Sequence, residues 1–253
     1  YFSMDNVIQA FWDSMPIHPS DLERFLDRFM GLGDGGIGVC FTLNQDMVME
    51  KRFGWRPLCP QSMNYAGNWG DRTNPDLNST TLKVLPTSQQ FNNFIYQQFN
   101  ITSCYIKLHG SLRWVNPGGD DSKVIGINKI QTITKIPLLN WYFELFGQAI
   151  SAGDVKLVVI GYGFRDQHIN NLLAKACEEN GLKLFIISPE DPESFQANLL
   201  FRGQGPIRDP DITGSKIWKS IYGYFPYRLS KIFPREQRTQ NPELNEIYNA
   251  VFN

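Results

Sequence analysis

No C-x-x-C pair occurs in the 253 residues; Cys40, Cys59, Cys104 and Cys177 each stand alone. The usual spacing of a structural zinc site is therefore missing, no metal is expected, and four unpaired thiols suit a reducing cytoplasm better than a secreted setting. No run of about 18 apolar residues exists, so no membrane span is expected. No secretory signal pattern opens the chain, which begins at Tyr1. Charge of one sign is also lacking: 24 Lys+Arg stand against 25 Asp+Glu. A basic footprint for phosphate backbones is thus absent at the whole-chain level, and direct nucleic-acid binding is not indicated. There is no internal repeat and no low-complexity segment. What is present is ordinary for a well-cored protein, 42% hydrophobic residues with a generous 13% aromatic share.

Helical periodicity alternates with short apolar runs, the pattern of a parallel sheet with helices on both faces, a Rossmann-like α/β arrangement. Ser20-Asp-Leu-Glu23 reads as a capping box opening a helix with Leu22, Phe25 and Phe29 on one side. Residues 37–43 read as a buried strand running into Asn44-Gln-Asp46 and then a helix at 47–50. Residues from about 54 to 100 hold Gly, Pro, Asn, Ser and Trp with little periodicity, an insertion or small subdomain. Residues 104–109 form a second strand ending in His109-Gly-Ser111, and 138–150 a helix. The clearest unit follows: a strand at 156–160, a Gly161-Tyr-Gly163 turn, a helix at 166–180 and a strand at 183–187. The expected organisation is one α/β domain over 1–203 and a helical C-terminal extension over 204–253.

Three polar clusters fall at the C-terminal ends of three predicted strands: Thr42/Asn44/Asp46, His109/Gly110/Ser111, and Gly161/Tyr162/Gly163 with Asp166. In an open parallel sheet, ligands bind beyond those ends. Each cluster has a plainer reading. Asn44, Asp46 and Asp166 could simply cap helices. His109 could be satisfied by backbone, and Gly161 and Gly163 could serve only a tight turn. His18 and His168 have no convergent partners and receive no role. The string Gly31-Leu-Gly33-Asp-Gly-Gly36 matches G-x-G-x-x-G, but it follows a helix and precedes a strand. A dinucleotide fingerprint needs the reverse order, so that phosphate meets a helix N-terminus.

The strings F-T-L-N-Q-D (41–46), L-H-G-S (108–111) and V-I-G-Y-G-F-R-D-Q-H-I-N (159–170) resemble the sirtuin-like family. Within it they are most similar to the prokaryotic branch of NAD-degrading proteins used in antiphage defence. The resemblance covers about residues 37–189. It implies NAD as substrate, with Asn44 beside the nicotinamide ribose, positioning water or the ribose hydroxyl. Asp46 would hold the carboxamide, and His109 would act as general base. Thr42 would lie at the cofactor-binding edge, Gly161, Tyr162 and Gly163 along the ribose and phosphate path, and Ser188 toward the adenosine half. Asp166 would bind there too or cap its helix.

The residue types suit the chemistry. Cleaving the nicotinamide–ribose bond builds positive charge on the sugar, which carboxylate and amide oxygens stabilise once water is excluded. Histidine is the side chain whose ordinary titration range lies near neutrality, a suitable proton acceptor. The paired cysteines of deacetylases are missing, and Leu43 stands where they usually carry glutamine. Plain NAD hydrolysis is therefore expected over deacylation. The family's G-A-G-x-S-like loop is not in these 253 residues and is expected upstream of Tyr1 or in a stretch absent from them. The branch also implies a homo-oligomer, a HerA-type ATPase partner and control by assembly. A non-catalytic NAD or ADP-ribose sensor is the alternative from another class.

Overall fold

The computed structural model describes residues 17–30, 38–53, 55, 57–58, 83–95, 103–112, 114–116, 124, 126, 128–202, 209–236 and 241–252. The glycine string at 31–36, Cys59, residues 117–121 and most of the insertion at 54–100 lie outside the described residues. The architecture is mixed α/β with parallel strand pairing, as a Rossmann-like fold requires. Two compact units divide the chain, one of Ser20–Leu145 and one of Phe146–Asn253 with Pro16–Pro19.

α1 (Pro19–Phe29) starts two residues ahead of Asp21, the first helical position a Ser20 cap implies. Pro19 takes the first helical place, where a missing N–H costs nothing, and Ser20 lies inside the first turn. Leu22 and Phe25 are buried, and Phe25 stacks on Phe29 at 4.7 Å. β1 (Gly38–Thr42) leads to α2 (Val48–Phe53). Within the insertion lie β2 (Lys83–Val84) and α3 (Ser88–Ile95), followed by β3 (Ser103–Lys107) and β4 (Trp114–Val115). β1 pairs parallel with β3 from Gly38↔Ser103 to Thr42↔Lys107, and β2 pairs parallel with β4. The other side of β3 takes Pro57 through a bridge at Tyr105, with the Leu58 N–H donating to Tyr105 O at 2.8 Å. Central placement explains why residues 104–108 are all buried. α4 (Lys129–Lys135) and α5 (Pro137–Ile150) close this part of the chain, and the unit boundary falls within α5. Tyr142 stacks near Trp114 and donates its hydroxyl to Leu58 O, while Trp55 meets Tyr105 edge-on at 5.4 Å.

The second unit is a three-stranded parallel sheet with β6 (Lys183–Ile187) between β5 (Lys156–Ile160) and β9 (Ile221–Phe225). Leu184 to Ile187 are buried in succession, and successive side chains point to opposite faces, so both faces of β6 are covered. α6 (Gln167–Asn180) connects β5 to β6 and ends on Gly181 in the left-handed region, a standard helix stop. α7 (Pro192–Leu200) and α8 (Ile212–Trp218) are capped by Asp191 and Asp211, whose carboxylates accept from Ser194 and Gly214 N–H. Between them run β7 (Phe201–Arg202) and β8 (Asp209–Pro210), an antiparallel pair. α9 (Leu229–Ile232) and α10 (Pro242–Phe252) complete the helical tail. The tail also holds β9, which the sequence reading passed over among the surrounding aromatics and breakers. No helix among the described residues is long and apolar enough to cross a membrane.

Candidate functional site

Two of the three polar clusters lie in the first unit, on neighbouring parallel strands. The loop after β1 and the turn after β3 are laced together. Leu108 N–H donates to Thr42 O at 2.9 Å, Leu112 N–H to Gln45 O at 2.8 Å, and Gln45 Nε2 to Val124 O at 2.9 Å. Gly110 makes the turn possible: its φ is +74°, and its N–H donates to Lys107 O at 3.0 Å. Only a residue without Cβ takes that conformation without strain. Thr42, Asn44, Asp46 and His109 thereby share one sheet edge within this unit.

Their individual settings differ. Asn44 is exposed, and its backbone N–H donates to Thr42 Oγ1 at 3.0 Å. Asp46 Oδ1 accepts from Val48 N–H at 3.0 Å, so part of its carboxylate serves the start of α2, as the capping alternative holds. His109 is buried at 4% exposure, and its carbonyl accepts from Val124 N–H at 3.3 Å. Ser111 is wholly buried, with Oγ 3.4 Å from Gln45 O and from Met47 Sδ. It acts as a tie between the loops.

Beneath this edge lies an ion pair that the sequence reading missed. Lys107 Nζ sits 2.8 Å from Glu50 Oε1 with both side chains at 1% exposure or less, and it also donates to Asp46 O. Burial raises the Glu50 carboxyl above its ordinary value despite the opposing pull of Lys107. The available signal was a lysine inside the apolar run Cys104-Tyr-Ile-Lys-Leu108, where an unpaired buried charge would be prohibitive.

The second unit carries the remaining candidates at the C-terminal ends of β5 and β6. Gly161 follows β5 with φ +64°, and its N–H donates to Ile187 O at 3.0 Å. Gly161 and Gly163 are exposed, and Tyr162 is half-buried. Ser188 is half-buried after β6, its Oγ accepting from Glu190 N–H at 3.3 Å. Asp166 occupies the N-cap position of α6, yet its side chain makes no capping hydrogen bond. The capping alternative therefore does not account for that carboxylate. His18 pairs by backbone with Phe233 O at 2.9 Å in this unit, and His168 is half-buried on α6.

A model of the SIR2-like domain matches residues 39–205, about two thirds of the chain. The chain belongs to the SIR2-like family. The match contains every candidate residue named above, from Thr42 to Ser188, and it brings an NAD-related function, since SIR2-like domains bind NAD. No curated protein matches the chain.

Proposed function

We propose that this SIR2-like chain is an NAD glycohydrolase that releases nicotinamide and ADP-ribose. The observation that carries the reading is the lacing of the 42–47 loop to the 107–112 turn. It holds an exposed carboxamide (Asn44), a carboxylate (Asp46) and an imidazole (His109) beyond the ends of two adjacent parallel strands, where open α/β sheets bind ligands. In this scheme Asn44 orients the attacking water. His109 accepts its proton, and burial of that imidazole keeps bulk water from competing. Asp46 holds the nicotinamide carboxamide, and its negative charge offsets the positive charge that builds on the ribose. Thr42 supports Asn44 through its hydroxyl. By the resemblance, Gly161, Tyr162, Gly163 and Asp166 would serve the ribose and phosphates, and Ser188 the adenosine half.

An unregulated hydrolase of this kind would exhaust the NAD of its own cell. Control by homo-oligomerisation or by a HerA-type ATPase, in a cytoplasmic antiphage role, completes the proposal and follows the branch that the three motifs resemble. The test is nicotinamide release from NAD by the full-length protein, with and without assembly, beside Asn44→Ala. Because Asn44 is exposed, its replacement should leave stability within about 0.5 kcal/mol while abolishing release. Turnover retained in Asn44→Ala would remove Asn44 from the mechanism. Saturable NAD binding without release in any assembly state would favour a sensor.

A further inference from the structure

Asn170 closes the third motif, and its surroundings give it a role. It lies in the first turn of α6 at 5% exposure, although asparagine is a poor helix-interior residue unless its side chain is engaged. Here both ends of the carboxamide are used. Nδ2 donates to Phe164 O at 2.6 Å, and Oδ1 accepts from the Tyr162 hydroxyl at 2.8 Å. The same hydroxyl lies 3.2 Å from Asp166 O. One side chain thus grips two residues of the turn that leaves β5.

The turn needs gripping. Phe164 sits at φ +52°, a left-handed conformation that costs a bulky L-residue and persists only where the surroundings enforce it. Its ring is held between Tyr162 at 4.6 Å and Phe195 at 5.6 Å, and Phe195 continues to Tyr224 at 4.9 Å. Burial pushes the Tyr162 phenol well above its usual range, so it stays protonated and remains a donor. Asp166 makes no side-chain cap, and the carboxamide of Asn170, with the Tyr162 hydroxyl, ties the entry of α6 to the turn.

We propose that Asn170 is a positioning residue: without touching substrate, it holds the Gly161–Phe164 turn in one shape, so that the nucleotide meets a preformed loop. Preorganisation of this kind improves affinity by meeting the ordering cost at folding. The inference rests on the NAD reading and deepens it. The test compares the full-length protein with Asn170→Asp, Tyr162→Phe and the double variant. Asn170→Asp keeps an acceptor for Tyr162, loses the donor to Phe164 O, and places its charge at a helix N-terminus that tolerates it. Three quantities are read: KM and kcat for nicotinamide release, Kd for NAD, and amide hydrogen exchange across 161–165 without nucleotide.

Asn170→Asp should raise Kd and KM roughly five- to tenfold, the worth of one hydrogen bond, while kcat falls less. Exchange across the turn should quicken. Tyr162→Phe should give a smaller effect of the same kind, and the double variant should be worse than either single change, because the two remove different hydrogen bonds made by Asn170. A folded Asn170→Asp protein with unchanged KM and unchanged exchange would overturn the role. If Asn170→Asp fails to fold, Tyr162→Phe decides by the same readings. Wild-type protein that neither binds nor cleaves NAD would overturn the NAD reading and the ligand part of this one. The exchange rates would still report separately whether Asn170 holds the turn.

Discussion

Replacing Lys107 with methionine removes the partner of a carboxylate that has nowhere else to go. Lys107 and Glu50 lie 2.8 Å apart at 0% and 1% exposure. Removing one member of such a pair leaves an uncompensated charge, and losses of about 3–5 kcal/mol are typical. The structure allows a tighter bound. Without Lys107, Glu50 avoids burying its charge by taking up a proton, and that proton comes at a cost set by pH. The ordinary glutamate value is 4.5, and burial already raises it here; losing the opposing pull of Lys107 raises it further. Above 4.5 the folded variant therefore binds a proton that the unfolded chain lacks. Its stability is greatest below 4.5 and is lost as pH rises toward the folded value. The slope is up to about 1.4 kcal/mol per pH unit. Near pH 7.5, roughly three units above the ordinary value, the loss is at most about 4 kcal/mol. Near pH 5.5 it shrinks to about 1.4 kcal/mol.

Urea unfolding of wild type and Lys107→Met at several pH values measures this directly. Glu50→Gln serves as a second variant: it leaves the buried Lys107 with Asp46 O as an acceptor but without its counter-charge, so it too should lose stability, without the Glu50 slope. A Lys107→Met, Glu50→Leu double variant should recover much of the deficit, because an apolar pair avoids the desolvation cost. A Lys107→Met loss below about 1 kcal/mol near pH 7.5, or one that does not change with pH, would refute the account.

Two other outcomes follow from burial and packing. Burial pushes the Cys40 and Cys104 thiols up to about 12. Only about one thiol in 10⁴ is then ionised near pH 8, so both should resist iodoacetamide in the folded protein and react in urea, read by peptide mass spectrometry. Labelling of Cys40 at the rate of a free thiol would contradict this. In α8, a Cβ on Gly214 would lie 1.7 Å from Leu199 O, so Gly214→Ala must push α7 and α8 apart. A loss of about 3 kcal/mol or more is expected in unfolding, and a melting temperature equal to wild type would refute the clash.

The strands 38–42, 156–160 and 183–187 were legible in sequence because apolar, β-branched runs bounded by turn residues have few other solutions. The placement of Thr42 at the end of its strand, and of Asn44, Asp46 and His109 just after theirs, was legible for the same reason: a strand end is a local property of the chain. β9 was not. Ile221-Tyr-Gly-Tyr-Phe225 alternates weakly, with Tyr222 largely exposed and Gly223 carrying no side chain, and it becomes a strand by lying against β6.

Local sequence by itself determined the α/β alternation, the turn chemistry and the motifs that mark the chain as SIR2-like. Those features depend on residues within one or two turns of each other, where periodicity and φ preference act. Tertiary structure alone decided which polar groups work as a unit. Glu50 and Lys107 are 57 residues apart, and their pairing exists because β3 lies beside β1 and the chain after β1. Asn170 became a lock because the turn after β5 packs onto the start of α6, where the buried carboxamide meets Tyr162 and Phe164. Hydrogen bonding and desolvation depend on what surrounds a group in space, and sequence order does not record that.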